Sequence, residues 1–383
     1  MARRIYLDWN ATTPLRPEAK AAMAHAWETG GNPSSVHAEG REARRLVEEA
    51  RATVASAIGA EPANVVFTSG GTEANALALT PGIRRGKGPA TQRLLISAIE
   101  HPSVLAGGRF APEATERIAV TREGLVDLDC LRAMLDGPPA LVSIMLANNE
   151  TGAIQPVAQA AELVHAAGGL LHVDAIQALG KIPFDLAATG ADLLSLSAHK
   201  IGGPKGVGAL GLAEGVEGLV PLLRGGGQEK GHRAGTEDVA GIAGFGTATQ
   251  AALAAQEDEA GRQERLRARL EAGLRETAGA VLFAADTKRL PNTVLFAVPG
   301  MRAETAVIGF DLEGIAVSAG SACSSGKVQP SHVVEAMGYG GELALGAVRL
   351  SLGWSTTEAD VDLALQAWRK LSNGLLRGRR NTA

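Results

Sequence analysis

Short apolar runs recur through the first two hundred or so residues, at 65–68, 94–97, 141–146, 170–173, 193–196 and 207–212, each closed by polar or glycine-rich residues. Runs of this length without strict alternation fit strands covered on both faces, as in a parallel sheet. Between several of them the period changes. Residues 41–57 carry apolar positions at helical spacing among Arg and Glu, and residues 157–167 repeat that spacing. Buried strands alternating with amphipathic helices predict an α/β fold, with a mainly parallel central sheet and helices on both faces.

The pattern changes near Gly246. Residues 247–277 are rich in Ala, Glu and Arg with charges at helix-like intervals, which predicts one extended helix leaving the large domain. Candidate strands come next at 293–298, 313–317 and 347–352, then a closing helix at 357–375. These make a smaller α+β domain. The expected division is a large domain of residues 14–258 and a small one of residues 1–13 and 259–383.

The residues just after each apolar run carry the chemistry, because open α/β sheets bind ligands beyond the C-terminal ends of their strands. In LSLSAHKIGGPKG, residues 194–206, the apolar run gives way at Lys200 to a loop rich in Gly and Pro. A lysine held between small residues there loses solvation and with it charge, so its amine can form an imine with a carbonyl. Pyridoxal phosphate (PLP) is the cofactor that needs such a lysine; a solvated loop lysine is the plain alternative. In FTSGGTEAN a tight glycine turn that includes Gly71 leads into a helix opening at Thr72, where exposed amides and a hydroxyl suit a phosphate or simply cap the helix. LLHVDAIQ delivers Asp174 at a strand end, where a carboxylate can pair with a pyridinium nitrogen or cap a helix. His101 in EHPS can stack on an aromatic cofactor and move protons, and Asn149 in NNETG offers an amide or a turn. Arg349 lies inside the apolar run AVRLSL. A charge in a strand needs a partner, and its guanidinium fork suits a substrate carboxylate.

Composition removes other classes of function. Lys plus Arg at 37 against Asp plus Glu at 41 gives a net charge of -4 over 383 residues, with few aromatics and no basic runs interleaving them. Nucleic acid is therefore not an expected partner. No apolar stretch is long enough to span a membrane or to serve as an export signal, so a cytoplasmic protein is expected. Two cysteines, Cys130 and Cys323, are too few for a disulfide framework or a cysteine-only metal site, and no metal is expected. Cys130 in LVDLDCLRAML falls in a helical pattern and is expected to pack in a core. Cys323 sits in SAGSACSSG, a polar, glycine-rich stretch expected to form a mobile loop and an unusual place for a thiol. It is the candidate nucleophile.

With these residues in place, the chain resembles the group I cysteine desulfurases of the NifS and IscS type, class V aminotransferases with PLP fold type I. The resemblance runs almost end to end, through YLDWNATTP, GNPSSVH, FTSGGTEAN, EHPSV, NNETGAIQP, HVDAIQALGK, SLSAHKIGGPKGVGAL, GGGQEKGHRAGTEDV, SAGSACSSG, PSHV and RLSLG. It implies Lys200 as the Schiff-base lysine, Asp174 on the pyridine nitrogen, Gln177 on the ring hydroxyl and His101 stacked on the ring. Gly71, Thr72, Ser197 and His199 would hold the phosphate, joined by Thr236 of a second subunit. Asn149 and Arg349 would take the carboxylate of L-cysteine, and Cys323 would receive its sulfur as a persulfide for an acceptor such as an iron–sulfur scaffold. A homodimer is implied. The nearest alternatives, selenocysteine lyase and cysteine sulfinate desulfinase, differ in needing no persulfide on Cys323. Trp9, Ala76 and His232 depart from the common pattern.

Overall fold

The computed structural model describes residues 4–320 and 329–380. Its centre is a seven-stranded sheet in the order Val65–Thr68, Gly208–Leu212, Leu193–Ser197, Leu170–Asp174, Ala140–Met145, Arg93–Ser97 and Thr115–Ile118. Only Gly208–Leu212 runs against the rest, pairing antiparallel with both of its neighbours. The five strands from Leu193–Ser197 to Thr115–Ile118 pair in parallel. Leu193–Ser197, Leu170–Asp174 and Ala140–Met145 are buried at every position, which is why they read as continuous apolar runs. The edge strand Thr115–Ile118 was not legible in the sequence. Its Glu116 and Arg117 face solvent and leave almost no apolar signal.

The opposite edge, Val65–Thr68, is covered by side chains. Arg51 Nη1 donates to the Val65 carbonyl at 2.8 Å, and Glu229 accepts from the Phe67 amide at 2.8 Å. The two side chains grip each other through both guanidinium nitrogens, at 2.7 and 2.8 Å, and both are buried. An edge strand's outward backbone groups are thereby paired. Removing one partner of such a buried pair typically costs about 3–5 kcal/mol, because the other charge is stranded.

Helices Pro17–Glu28 and Ala38–Ala57 pack on Val239–Ala254. The expected single helix over 247–277 is instead two, Val239–Ala254 and Gln256–Arg275, meeting at Ala255. Their surroundings explain the break. The first is built of Gly, Ala and apolar residues and is buried against the large sheet's helices. The second is charged, opens with Glu257, Asp258 and Glu259, and packs on Glu358–Arg380. One straight helix cannot serve both surfaces.

A four-stranded antiparallel sheet, in the order Val281–Leu282, Thr293–Ala297, Val348–Ser351 and Ser318–Ala319, forms the second centre. The N-terminal strand Ile5–Tyr6 joins this end of the molecule by pairing in parallel with Ile315–Ala316, and Ile5 and Leu7 share a core with Leu270, Phe296, Phe310 and Trp368. No described helix is long and apolar enough to cross a membrane.

Gly246 tests the helix packing. A Cβ there would lie 2.7 Å from Ala50 Cα and 2.8 Å from its Cβ. Gly246→Val should therefore destabilise by about 1–3 kcal/mol, read as a lower urea midpoint with an unchanged slope. Gly341→Ala, where an added Cβ meets nothing within 4 Å, should stay within about 0.5 kcal/mol of the parent.

Candidate active site

The C-terminal ends of the strands sharing a direction open onto one cavity of about 330 Å³. Gly71 and Thr72 reach it from the turn after Thr68, His101 and Ser103 from the segment after Ser97, Asn149 from beyond Met145, and Asp174 and Gln177 from beyond Val173. Ser197, His199 and Lys200 come from the end of Leu193–Ser197, and Arg349 comes from the second sheet. Every sequence-predicted site residue among those described lines this cavity except Thr236, which is exposed on the surface. Cys323 lies outside the described residues.

Where Gly71 and Thr72 line the cavity, Gly70 has a φ of 145° and the helix Gly71–Ala78 opens immediately after it. Gly71 leaves room that a side chain would fill, since a Cβ there would sit 2.2 Å from Ile176 Cδ1. On the far strand, a Cβ on Gly208 would meet the Gly70 carbonyl carbon at 2.6 Å. Both glycines let the turn lie against the sheet. His199 Nδ1 pairs with Thr12 Oγ1 at 3.1 Å. Burial, followed by the Lys200, Lys205 and Lys181 charges, pushes its imidazole down to about 4, so it is neutral near pH 7.

The acid end is built around Asp174. Its carboxylate accepts from Asn75 Nδ2 at 2.8 Å and from the Ile176 amide at 3.0 Å. Burial raises its proton affinity, while those two bonds and the charges of His101 and Lys200 oppose the rise. Asn75 Nδ2 also donates to Ser103 Oγ at 2.9 Å. Ser103 in turn meets His101 Nδ1 through Oγ at 2.8 Å and through its backbone N–H at 3.2 Å. A backbone N–H can only donate, so Nδ1 is the acceptor and the neutral ring carries its proton on Nε2. Burial pushes His101 toward that neutral form. Sequence reasoning missed Asn75 and Ser103 as site residues, although both lie inside the motifs FTSGGTEAN and EHPSV.

Lys200 Nζ donates to the carbonyls of Asn10 at 2.5 Å and Ala11 at 2.8 Å. Gln177 Nε2 shares the Asn10 carbonyl at 3.0 Å, and Gln177 Oε1 accepts from the half-buried Lys181 at 2.7 Å. The charge in the second-sheet strand has its partner: Arg349 Nη2 donates to Asp8 Oδ1 at 2.7 Å and Nη1 to the Asn149 carbonyl at 2.9 Å. Among the described residues those two bonds use two of the five guanidinium N–H groups, so donors remain for a ligand. Asp8 was also missed. Its signal was the buried arginine itself, which required an acid from somewhere in the chain.

The profile of the class-V aminotransferase family matches residues 5–364. The chain belongs to that family. A cysteine desulfurase of Cereibacter sphaeroides is 46% identical over 370 residues, covering 95% of this chain and 94% of that one. The cysteine desulfurase IscS of Dictyoglomus turgidum is 41% identical over 379 residues, covering 97% and 95%. The X-ray structure of a NifS-like protein from Rickettsia africae superposes with a TM-score of 0.88 at 35% identity, covering 97% and 100%. The fold is that of the PLP-dependent enzymes of fold type I, as the sequence led us to expect.

Class-V aminotransferases use PLP, and the residues present fit it. A lysine amine, a buried carboxylate, an imidazole and a glycine-lined helix N-terminus face one cavity of suitable size. Of the departures from the common pattern, Trp9 is buried edge-on against Trp354 at 4.9 Å and is outside the cavity. Gly353 makes room for it, since a Cβ there would fall 2.0 Å from the indole. Ala76 and His232 also lie away from the cavity lining. Cys130 is half-buried in the helix Leu128–Met134, against the large core and 3.7 Å from Met134 Sδ.

Glu150, next to Asn149, is fully buried and accepts from Ser331 Oγ at 2.6 Å. Burial pushes its carboxyl up from 4.5 to about 7, opposed by Ser331 and Arg349. Between pH 4.5 and 7 the folded chain therefore keeps a proton that the unfolded chain has released, so stability falls as pH rises through that window. Below it both states are protonated and the effect is absent. Glu150→Gln keeps an acceptor for Ser331 and removes the titration. The variant should lose a fall of about 3 kcal/mol between pH 4.5 and 8, measured by urea unfolding across that range; an unchanged slope would exclude Glu150 as its source.

Proposed function

We propose that this chain is a cysteine desulfurase, which converts L-cysteine to L-alanine and passes the sulfur on as a persulfide. The observation that carries this reading is the meeting of Lys200, Asp174, His101 and Arg349 in one cavity, in a chain similar over almost its whole length to proteins named cysteine desulfurases. Lys200 would hold PLP, with Asp174 and Gln177 on its ring, His101 against its face, and Thr72, Ser197 and His199 on its phosphate. When bound, PLP supplies an electron sink for charge released at the α-carbon of an amino acid.

The chain's own residues supply the rest. Arg349, held by Asp8, and Asn149 orient the substrate carboxylate and so fix which bonds face Lys200. The Lys200 amine takes the α-proton, in a pocket whose two backbone carbonyls, from Asn10 and Ala11, hold its Nζ in place. The Cys323 thiolate attacks the substrate sulfur. An S–S bond forms, the Cβ–S bond breaks with its electron pair staying on carbon, and protonation of that carbon completes alanine. One cysteine and one enzyme thiol become one alanine and one enzyme persulfide, with no outside oxidant.

The same reading makes the protein a cytoplasmic homodimer divided at residues 14 and 258, delivering sulfur to an acceptor protein such as an iron–sulfur scaffold. Thr236 supports the dimer. It lies outside its own chain's cavity and is exposed, at the end of a glycine-rich surface segment.

Mass spectrometry after exposure to L-cysteine should find one added sulfur on Cys323. Cys323→Ser should bind cysteine but form no persulfide and little alanine, whereas Cys130→Ser should match the parent. Full alanine production without Cys323 would transfer the protein to the lyase or desulfinase reading. Separately, Arg349→Lys should raise the Michaelis constant for cysteine by about tenfold or more with a smaller change in kcat, because an ammonium cannot reproduce the fork. An unchanged constant would place the carboxylate elsewhere.

A further inference from the structure

Residues 223–236 form a surface strap with unusual foundations. Its base is closed by the Ala234 amide on the Leu223 carbonyl at 3.1 Å. Within it, Glu229 and Lys230 have φ values of 45° and 55°, a left-handed conformation that residues other than glycine avoid. Such backbone persists only where the surroundings over-determine it, and here three side chains do so. Glu229 is buried in the double grip of Arg51 and accepts from the Phe67 amide. Lys230 Nζ donates to the Ala63 carbonyl at 2.9 Å. Arg233 Nε donates to Glu73 Oε1 at 3.1 Å, while Glu73 Oε2 accepts from the Ser69 amide at 2.7 Å. The strap is thus fastened to the strand Val65–Thr68 and to the turn after it. That turn leads directly into Gly71 and Thr72 at the chain's own phosphate end.

All this anchoring serves a segment that contributes nothing to its own chain's cavity, and Thr236 emerges exposed at its end. We propose that Glu229, gripped by Arg51, is a positioning residue acting across the subunit interface: it holds the strap so that Thr236 reaches the cofactor phosphate of the neighbouring subunit. This rests on the homodimer reading above. The buried ion pair then joins the edge strand that leads into one chain's phosphate turn to the strap that completes the other's.

The test uses PLP affinity, read as cofactor fixed to Lys200 by borohydride over a range of PLP concentrations. Glu229→Gln homodimers should bind PLP about tenfold more weakly than the parent or worse. Arg51→Lys, which keeps the charge and loses one prong, should shift affinity in the same direction by a smaller factor, so the result does not hang on one variant folding. Hybrid dimers then locate the effect. A Glu229→Gln subunit paired with a Lys200→Ala subunit has one site with both an intact Lys200 and an intact strap from its neighbour. Lys200 of that hybrid should recover parental affinity to within about twofold, and a Thr236→Ala subunit in the same pairing should recover likewise. Parental affinity in the Glu229→Gln homodimer would overturn the proposal. Recovery with Thr236→Ala and none with Glu229→Gln would also overturn it, while leaving the dimer reading standing. Recovery with neither, or a monomer in sedimentation, would remove the dimer reading and this proposal with it.

Discussion

The site depends on placing a hydrogen-bonded carboxylate at the buried end of a parallel strand. Asp174 is almost wholly out of solvent, where an unpartnered carboxylate takes up a proton instead of keeping its charge. What holds it is chiefly Asn75, one turn along the helix Gly71–Ala78. The N-terminus of that helix lines the same cavity at Gly71 and Thr72, so one rigid element carries both that turn and the partner of the acid. The spacing between them, about 5–6 Å along the helix axis, is a property of helical geometry and cannot drift with loop motion. The second hydrogen of the Asn75 amide goes to Ser103 and from there to His101. The group that would face the cofactor is oriented through the same side chain that steadies the acid.

The part of the cavity that Arg349 lines is built by a different principle. Arg349 comes from the second sheet, and its partners come from two distant places, Asp8 near the N-terminus and the Asn149 carbonyl beyond Met145. Asn10 joins the same three regions, donating to Thr293 Oγ1 and to the Asn149 carbonyl while its own carbonyl receives Lys200 and Gln177. The N-terminal segment 4–13 is therefore a clasp between the two sheets. Without it Arg349 would be a buried unpaired charge and Lys200 would lose both of its carbonyl acceptors.

This division explains what could be read from the chain. Strand ends are local events, an apolar run closed by a polar residue, so Lys200, Asp174, His101 and Asn149 were visible one motif at a time. Arg349 was visible because a charge inside an apolar run is costly. Its partner Asp8 lies 341 residues away in the chain, and no periodicity carries that information. Asn75 and Ser103 sit within recognisable motifs, but their roles appear only when two strand ends are brought side by side. The edge strand Thr115–Ile118 is half charged and gives no period, and the break at Ala255 comes from a change of packing surface with no glycine or proline to mark it.

Burial also decides which of the many ionisable groups around the cavity keep a charge. Lys181 is half-buried near Lys200 and Arg349, and desolvation with those charges pushes its ammonium well below its usual range. Glu100 is buried beside Asp174 with one oxygen unpartnered among the described residues, and burial raises its carboxyl well above the usual range. His172, between Ser143 and Ser195 at 2.8 Å on each side, is pushed down to about 3. In each case burial favours the uncharged form, and His172 is neutral near pH 7, a hydrogen-bonding element between the two serines. Asp174 has donors on both oxygens, and Arg349 has an acid and a carbonyl. Both line the cavity, so a ligand with a ring nitrogen and a carboxylate would meet an acid through the first and a guanidinium through the second. Orientation is then set by two buried contacts that thermal motion or salt can do little to screen.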